Sequence, residues 1–187
     1  IRCRVLGQDR LATLRSMKNV AETLRRRGKL EQEEALRKEI LEIRRRVLGE
    51  AHPDTLDLMY SLGYMFQTRG KLNEADVMLR QCLEMRQRVL GEEHPHTLTS
   101  MDELARVLVR RGKLDEAETM FRECLQRRER LLEEGHRDTL RTMNALAVVL
   151  RRTGKLDEME ATNRRNLEVR RRVHGDEDPD TLWAMSN

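Results

Sequence analysis

The sequence is poor in the residues that build sheets. Aromatic side chains are only 3% of its 187 residues. β-Branched residues are few, and Leu, Arg, Glu and Met dominate, a composition that favours helix over strand. No apolar run approaches the roughly 20 residues of a membrane span, and no signal peptide opens the chain. The cysteines, Cys3, Cys82 and Cys124, are odd in number and lack CxxC spacing. That excludes a disulfide scaffold and points to free thiols in a reducing, cytoplasmic setting. An excess of one charge is also missing: 37 Lys and Arg face 33 Asp and Glu, for a net +4. Such a balance does not point to nucleic acid, and the mixed signs are unlike a typical disordered chain. No Ser-His-Asp set, glycine-rich phosphate loop or paired-carboxylate constellation is visible, so neither an enzyme nor a cofactor is expected.

What the chain has is repetition. "RGKL" begins at Arg27, Arg69 and Arg111, and "TGKL" at Thr153, each 42 residues after the last. In the same register stand "VLGQDRLATL" from Val5, "VLGEAHPDTL" from Val47, "VLGEEHPHTL" from Val89, "LLEEGHRDTL" from Leu131 and "RVHGDEDPDTL" ending at Leu182. Met17, Met59, Met101, Met143 and Met185 each follow a Thr-Leu pair by three residues. A period shared by so many markers means an array of stacked units. The units are placed at about 8–49, 50–91, 92–133 and 134–175, with partial units at 1–7 and 176–187, all in one array over 1–187. The chain begins with Ile1, and both ends fall inside a unit, so an excerpt of a longer array is expected.

Each unit predicts two helices. In the third, Leu98, Met101, Leu104, Ala105 and Leu108 step by three or four, marking one face of a helix from about Pro95 to Arg110. Gly112 suits the left-handed conformation that ends helices. The second helix runs from about Asp115 to Leu131, with Ala117, Met120, Phe121, Cys124 and Leu125 on one stripe. "DEAE" from Asp115, "NEAD" from Asn73 and "DEME" from Asp157 have capping-box form. Pro53, Pro95 and Pro179 sit where the next helix starts. "IRCRVLG" reads as the end of a second helix.

Helix pairs with a small residue eight positions along the first helix, "LG-E-HP-TL" in the linker and "GKL-EAE" at the turn resemble the tetratricopeptide repeat. The 42-residue period is similar to its kinesin-light-chain type, also attached to nucleotide-binding signalling ATPases of fungi and bacteria. The resemblance covers the whole chain and implies an all-α, right-handed superhelical solenoid. First helices would line a concave face that binds a peptide or helix of a protein partner. Its clamping asparagines map onto Asn144 at the first position and Asn19 at the second. The other first positions are Lys18, Tyr60 and Asp102, and the other second positions Ser61, Glu103 and Ala145. With Tyr64, one turn beyond Tyr60, and Arg106 and Arg110 in the next unit, the candidate groove comprises Asn19, Tyr60, Tyr64, Asp102, Arg106, Arg110 and Asn144. It suits an acidic-aromatic segment. A sensor, autoinhibitory or oligomerisation segment packed against its own longer chain is the alternative.

Three recurrent residue sets carry a structural and a functional reading. His52, His94 and His136 occupy one position, and His94 and His96 flank Pro95. One histidine per layer lies roughly 10 Å from the next, against about 2 Å from ligand to zinc, so a loop role is expected and no metal. Arg2, Arg44, Arg86, Arg128 and Arg170 form one column, and Arg4, Arg46, Arg88, Arg130 and Arg172 another. Two positive ladders would suit RNA, but the aromatics that stack single-stranded bases are absent. Pairing of Arg46, Arg88 and Arg172 with Glu42, Glu84 and Glu168, plus favourable dipole placement, accounts for the residue type. The Met column and Cys82 and Cys124 are expected in the core. Glu33, where Ala75 and Ala117 stand in other units, should loosen its helix pair unless it is paired or solvated.

Overall fold

The computed structural model describes residues 2–179, 181 and 182, with side chains from residue 12 onward. Among the described residues there are eight helices and no strand: α1 (Arg2–Arg26), α2 (Leu30–Leu48), α3 (Pro53–Thr68), α4 (Leu72–Leu90), α5 (Pro95–Arg110), α6 (Leu114–Leu131), α7 (Arg137–Arg152) and α8 (Leu156–His174). No helix among them is long and apolar enough to cross a membrane.

Each hairpin closes through the GKL turn. Gly112 has φ +78°, and its N–H donates to Val109 O while that of Lys113 donates to Leu108 O, at 3.2 and 2.9 Å. That pair of bonds is the Schellman ending, which satisfies carbonyls the helix leaves open. The turn is so tight that Lys113 already caps α6 and makes no side-chain capping bond. Lys71 and Lys155 do the same in their units. The capping-box expectation is therefore corrected: Asp115, Asn73 and Asp157 lie one residue inside the helix. The acids there still meet the positive end of the helix dipole.

The linkers between hairpins explain the histidines. Nδ1 of His52, His94 and His136 accepts the N–H of Asp54, His96 and Asp138 at 3.1, 3.2 and 3.1 Å. Each imidazole is thus the N-cap of α3, α5 or α7, satisfying a donor the first turn leaves open. Asp178 takes over the role in the last linker, accepting the Thr181 N–H at 3.0 Å. The recurrent threonine ties the linker back on itself, with Oγ1 of Thr55 and Thr97 donating to Gly49 O and Gly91 O at 2.9 and 2.8 Å. In the fourth unit the glycine is displaced to Gly135, and Thr139 Oγ1 is left buried without a partner among the described residues. Where "GQDRLATL" lacks both His and Pro, the chain runs as one helix from Arg2 through Gly7 to Arg26, not as two segments meeting near Gly7.

The core is continuous along the stack. Leu62, Leu104 and Leu146, with Phe66, Leu108 and Leu150, are buried in successive units. Met59, Met101 and Met143 join them, as the periodicity predicts; Met185 lies outside the described residues. Cys82 and Cys124 are fully buried, and their Sγ–H groups point at Leu56 O and Leu98 O, 3.3 and 3.5 Å away. Asn166 makes the same contact to Leu140 O at 2.9 Å. Burial pushes the Cys124 thiol up to about 11, leaving it a packing group. The side chain of Cys3 lies outside the described residues.

The two arginine columns separate. Arg86 and Arg128 are 3% and 4% exposed. Arg86 donates to His96 O and Ser100 Oγ at 3.0 and 2.8 Å. Arg128 donates to Asp138 O and Thr142 Oγ1 at 2.9 and 2.5 Å. Arg44, Arg86 and Arg128 thus bolt each hairpin to the next, so the first column is structural and does not form the positive ladder of the RNA alternative; the side chains of Arg2 and Arg4 lie outside the described residues. The second column is exposed, but its pairing differs from the one expected. Glu42 meets Arg45, and Arg172 and Arg130 reach back to Glu134 and Glu93 of the preceding linkers.

Candidate functional site

The odd-numbered helices form a tight row. Cα atoms of α3 and α5, and of α5 and α7, come within 8 Å, whereas among the described residues no two even-numbered helices do so. A stack whose members are closer on one side curves toward that side, so the face of the odd helices is the inner one. Within each hairpin a small residue lets the two helices cross closely: Gly63 on α3 is buried, and a Cβ there would lie 2.5 Å from Leu79 on α4, with Ala105 and Ala147 at the same position in the next units.

The seven candidate residues divide by what already holds them. Tyr64 is 50% exposed and Asn19 is exposed. Tyr60 is half-buried with the Arg86 guanidinium 5.3 Å from its ring centre. Burial, reinforced by Glu103, pushes its hydroxyl up to about 12. Asp102 is buried and receives Arg106 Nε at 2.8 Å, Arg128 Nη1 at 3.3 Å and Thr142 Oγ1 at 2.9 Å. Arg106 also lies 5.9 Å from the Phe121 ring centre, which fixes its direction. Arg110 donates to Gln67 O, at the C-terminal end of α3, as Arg152 donates to Val109 O at 2.8 Å. Asn144 Oδ1 accepts from Asn166 Nδ2 at 3.0 Å. Tyr64 is therefore open, Arg106 keeps 30% of its side chain exposed while Asp102 anchors its Nε, Arg110 is exposed with one nitrogen engaged, and Asp102 and Asn144 are engaged within the stack.

Sequence reasoning missed several members of this face. Exposed Arg141 and Val148 on α7 extend it beyond Arg106. Glu103, at the second clamp position, is 6% exposed, and its Oε1 has no partner among the described residues. Burial pushes its carboxyl up despite Arg106 nearby. The signal was present in the alignment of units, where Glu103 stands beside Ser61 and Ala145. No group of three or more His, Cys, Asp or Glu side chains is arranged to hold a metal ion among the described residues. His94 and His96 stack with ring centres 5.3 Å apart.

A third column, which the sequence showed only as part of a motif, staples the hairpins at the turn edge. Glu34 pairs with Lys38 and with Lys71 of the next turn at 2.8 and 2.7 Å. Glu118 pairs with Lys155 at 2.7 Å and Arg122 at 3.0 Å, and Asp76 with Arg111 and Arg80. Burial works against the charge of Glu34, but the two lysines outweigh it and hold the carboxyl at about 2. Glu33, 1% exposed, is paired with Arg37 and Arg69 at 2.7 and 2.5 Å, which meets the condition for a charge at that position.

Antiparallel hairpins of 42-residue period, small residues at the crossing within each hairpin and a linker-capped first helix define a helical-repeat solenoid. Sequence profiles described as tetratricopeptide repeat match residues 9–88 and 138–187, and another residues 97–138. The chain belongs to the tetratricopeptide repeat family. The solved structures it resembles include a kinesin-light-chain-like protein of Podosopora anserina built of nearly identical TPR-like repeats. That likeness has TM-score 0.80, 24% identity, and covers 92% of this chain and 82% of that one. Its Q17M form gives 0.82 and 23%, covering 92% and 81%. BtubC (BKLC) of P. vanneervenii gives 0.75 at 22% identity, covering 83% of this chain and 62% of that one. At such identities the likeness shows the fold. Among curated proteins no significant match is found.

Proposed function

We propose that the chain is a protein-interaction scaffold whose inner helix face takes a peptide or helix of a protein partner. The observation that carries this reading is the contrast along the inner row. Most polar groups there are consumed by the stack, yet Tyr64 remains half exposed, and Arg106, at the matching position of the next unit, keeps part of its side chain open while Asp102 anchors its Nε. Rigid aromatic and arginine anchors are the residues that carry binding energy at interfaces. The surrounding face is rich in cations, among them exposed Arg15, Lys18, Arg141 and Arg152, so the segment it fits is acidic, with an apolar or aromatic group for Tyr64 and Val148. Membership in a family of generally non-catalytic, protein-binding repeats supports the same reading.

The test compares proteins captured from extract by the wild-type chain with those captured by the Tyr64→Ala, Arg106→Gln double variant. Each candidate is then purified and titrated. A partner of the inner face should bind the variant at least about tenfold more weakly, the scale of losing one anchor. Undiminished binding of every purified partner, with helicity and melting unchanged, would remove the inner-face assignment.

A further inference from the structure

Along the arginine bolts, one position departs from the others. Arg86 has side-chain acceptors in Ser100 Oγ at 2.8 Å and Asp57 Oδ1 at 2.6 Å. Arg128 has Thr142 Oγ1 and Asp102 Oδ1 at 2.5 and 3.3 Å. Arg170 has Asn166 Oδ1 at 2.7 Å. Arg44 donates to the backbone carbonyl of Asp54, and its buried Nε has no partner among the described residues. The cause lies in the sequence: Leu58 stands where Ser100 and Thr142 stand, and Lys18 where Asp102 stands.

Beside Arg44 there is also space. A cavity of about 130 Å³ opens between α1, α2 and α3, lined by Lys18, Arg37, Arg44, Asp57, Leu58 and Ser61 among others. In the next layer the matching positions of Lys18 and Arg37 are Tyr60, whose ring lies against the Arg86 guanidinium, and fully buried Leu79. Here α1 also stands off, with no Cα within 8 Å of α3 among the described residues. Lys18, exposed at the mouth, and Ser61 stand at the two clamp positions of the inner face. The charges do not cancel. Arg37 is matched by Glu33 at 2.7 Å and Asp57 by Arg86 at 2.6 Å, which leaves Lys18 and Arg44 uncompensated.

We propose that this cavity is a carboxylate-binding subsite, in which Arg44 and Lys18 receive an acidic side chain of the partner segment. It rests on the inner-face reading above and assigns that segment an Asp or Glu at the α1 end. The incoming carboxylate does for Arg44 what Asp102 does for Arg128, accepting from a guanidinium already held in place by a backbone carbonyl. Charge-assisted bonds of this kind are short and strong. A volume on the order of 150 Å³ is known to hold a benzene-sized ligand, so a carboxylate with its methylene fits, over the apolar floor of Leu58.

The experiment follows the Arg44 Nε–Hε resonance of ¹⁵N-labelled protein at constant ionic strength. Acetate, inorganic phosphate, and the peptides acetyl-Ala-Glu-Ala-amide and acetyl-Ala-Gln-Ala-amide are titrated in turn. Acetate and the Glu peptide should give saturable shifts and the Gln peptide none. Lys18→Met, at an exposed position, should weaken binding roughly tenfold, the scale of one charge-assisted bond. Lys18→Tyr, which installs the residue that packs against the arginine in the next layer, should abolish binding and raise the melting temperature. An absent shift, an equal response to the Gln peptide, or no effect of Lys18→Met would overturn the subsite. Saturation by phosphate alone would make it a free-anion site and overturn the side-chain assignment. Because the probes are small, failure here leaves the Tyr64 and Arg106 reading standing, and loss of that reading leaves the anion titration unaffected.

Discussion

Arg128 and Arg130 sit two residues apart near the end of the same helix, and the structure gives them opposite worth. The Arg128 side chain is 5% exposed and Arg130 60%. Replacing Arg128 by Met keeps most of the apolar stem and removes the donors to Asp138 O, Thr142 Oγ1 and Asp102 Oδ1. Stripping one partner from a buried ion pair costs about 3–5 kcal/mol. Asp102 is not abandoned, however, because Arg106 and Thr142 still hold it at 2.8 and 2.9 Å. The expected loss is therefore below that range, about 2–3 kcal/mol. Arg130→Met loses only an exposed pair with Glu93, worth about 0–1 kcal/mol.

Urea denaturation followed by far-ultraviolet circular dichroism measures both. In a stack where each unit touches only its neighbours, the Arg128 loss should weaken the joint between α6 and α7 and broaden or split the transition. Adding salt should erase the small Arg130 effect and leave the Arg128 effect in place, since buried pairs are screened little. Equal costs for the two variants, both under about 1 kcal/mol, would refute the bolt assignment.

Other consequences follow from single groups. His94→Ala should cost about 1 kcal/mol through loss of the α5 cap, and His94→Asp should restore it, since Asp178 already serves that role; calorimetry of both variants checks this. Glu34, held at about 2, contributes stability that is complete above its unfolded value of about 4.3 and is lost as pH falls toward 2. Urea titrations at a series of acid pH values should show wild type converging on Glu34→Gln below that window. Glu103, pushed up by burial, has the opposite sign: its ionisation opposes folding once pH rises above about 4.3. Glu103→Gln should then be more stable than wild type at neutral pH and equal to it at about pH 3, and a less stable variant at neutral pH would contradict this.

Legibility in the sequence followed the periodicity. The helices Pro95–Arg110 and Leu114–Leu131 could be bounded almost to the residue. The proline, the GKL turn and the Leu spacing all act locally, and the same message is repeated in each unit. What could not be read is partner choice across units. Helical spacing does put Arg128, and not Arg130, in line with the stripe of Phe121, Cys124 and Leu125, but both suit a helix C-terminus and a charge there reads as exposed. Burial decides between them, and it depends on where the next hairpin lands. The capping-box reading of Asp115 failed for a related reason. A Schellman ending and the next helix start share Lys113, so the acid arrives two residues too late to cap. The groove was legible as a row of positions but not as a set of free groups. Asp102, Arg110 and Asn144 face partners inside the stack that a one-dimensional reading cannot supply.

The variation between units therefore carries more functional information than their agreement. Positions that repeat, such as the capping histidine, the Thr-Leu pair and the arginine bolt, are fixed by the joint, because every joint poses the same unsatisfied donors and carbonyls. Positions that vary while their neighbours repeat are free of that demand. The column Lys18, Tyr60, Asp102, Asn144 shows the consequence. In the upper layers its side chain answers the local arginine or a neighbouring amide: the Tyr60 ring lies by Arg86, Asp102 bonds Arg128, and Asn144 bonds Asn166. At Lys18 the column supplies a second cation, and together with Leu58 in place of Ser100 and Thr142 it leaves Arg44 without a side-chain acceptor beside the cavity. A stack that only had to stand would gain from tyrosine there. Retaining like charges around an open cavity costs stability, and an acidic group arriving from outside the chain would offset that cost.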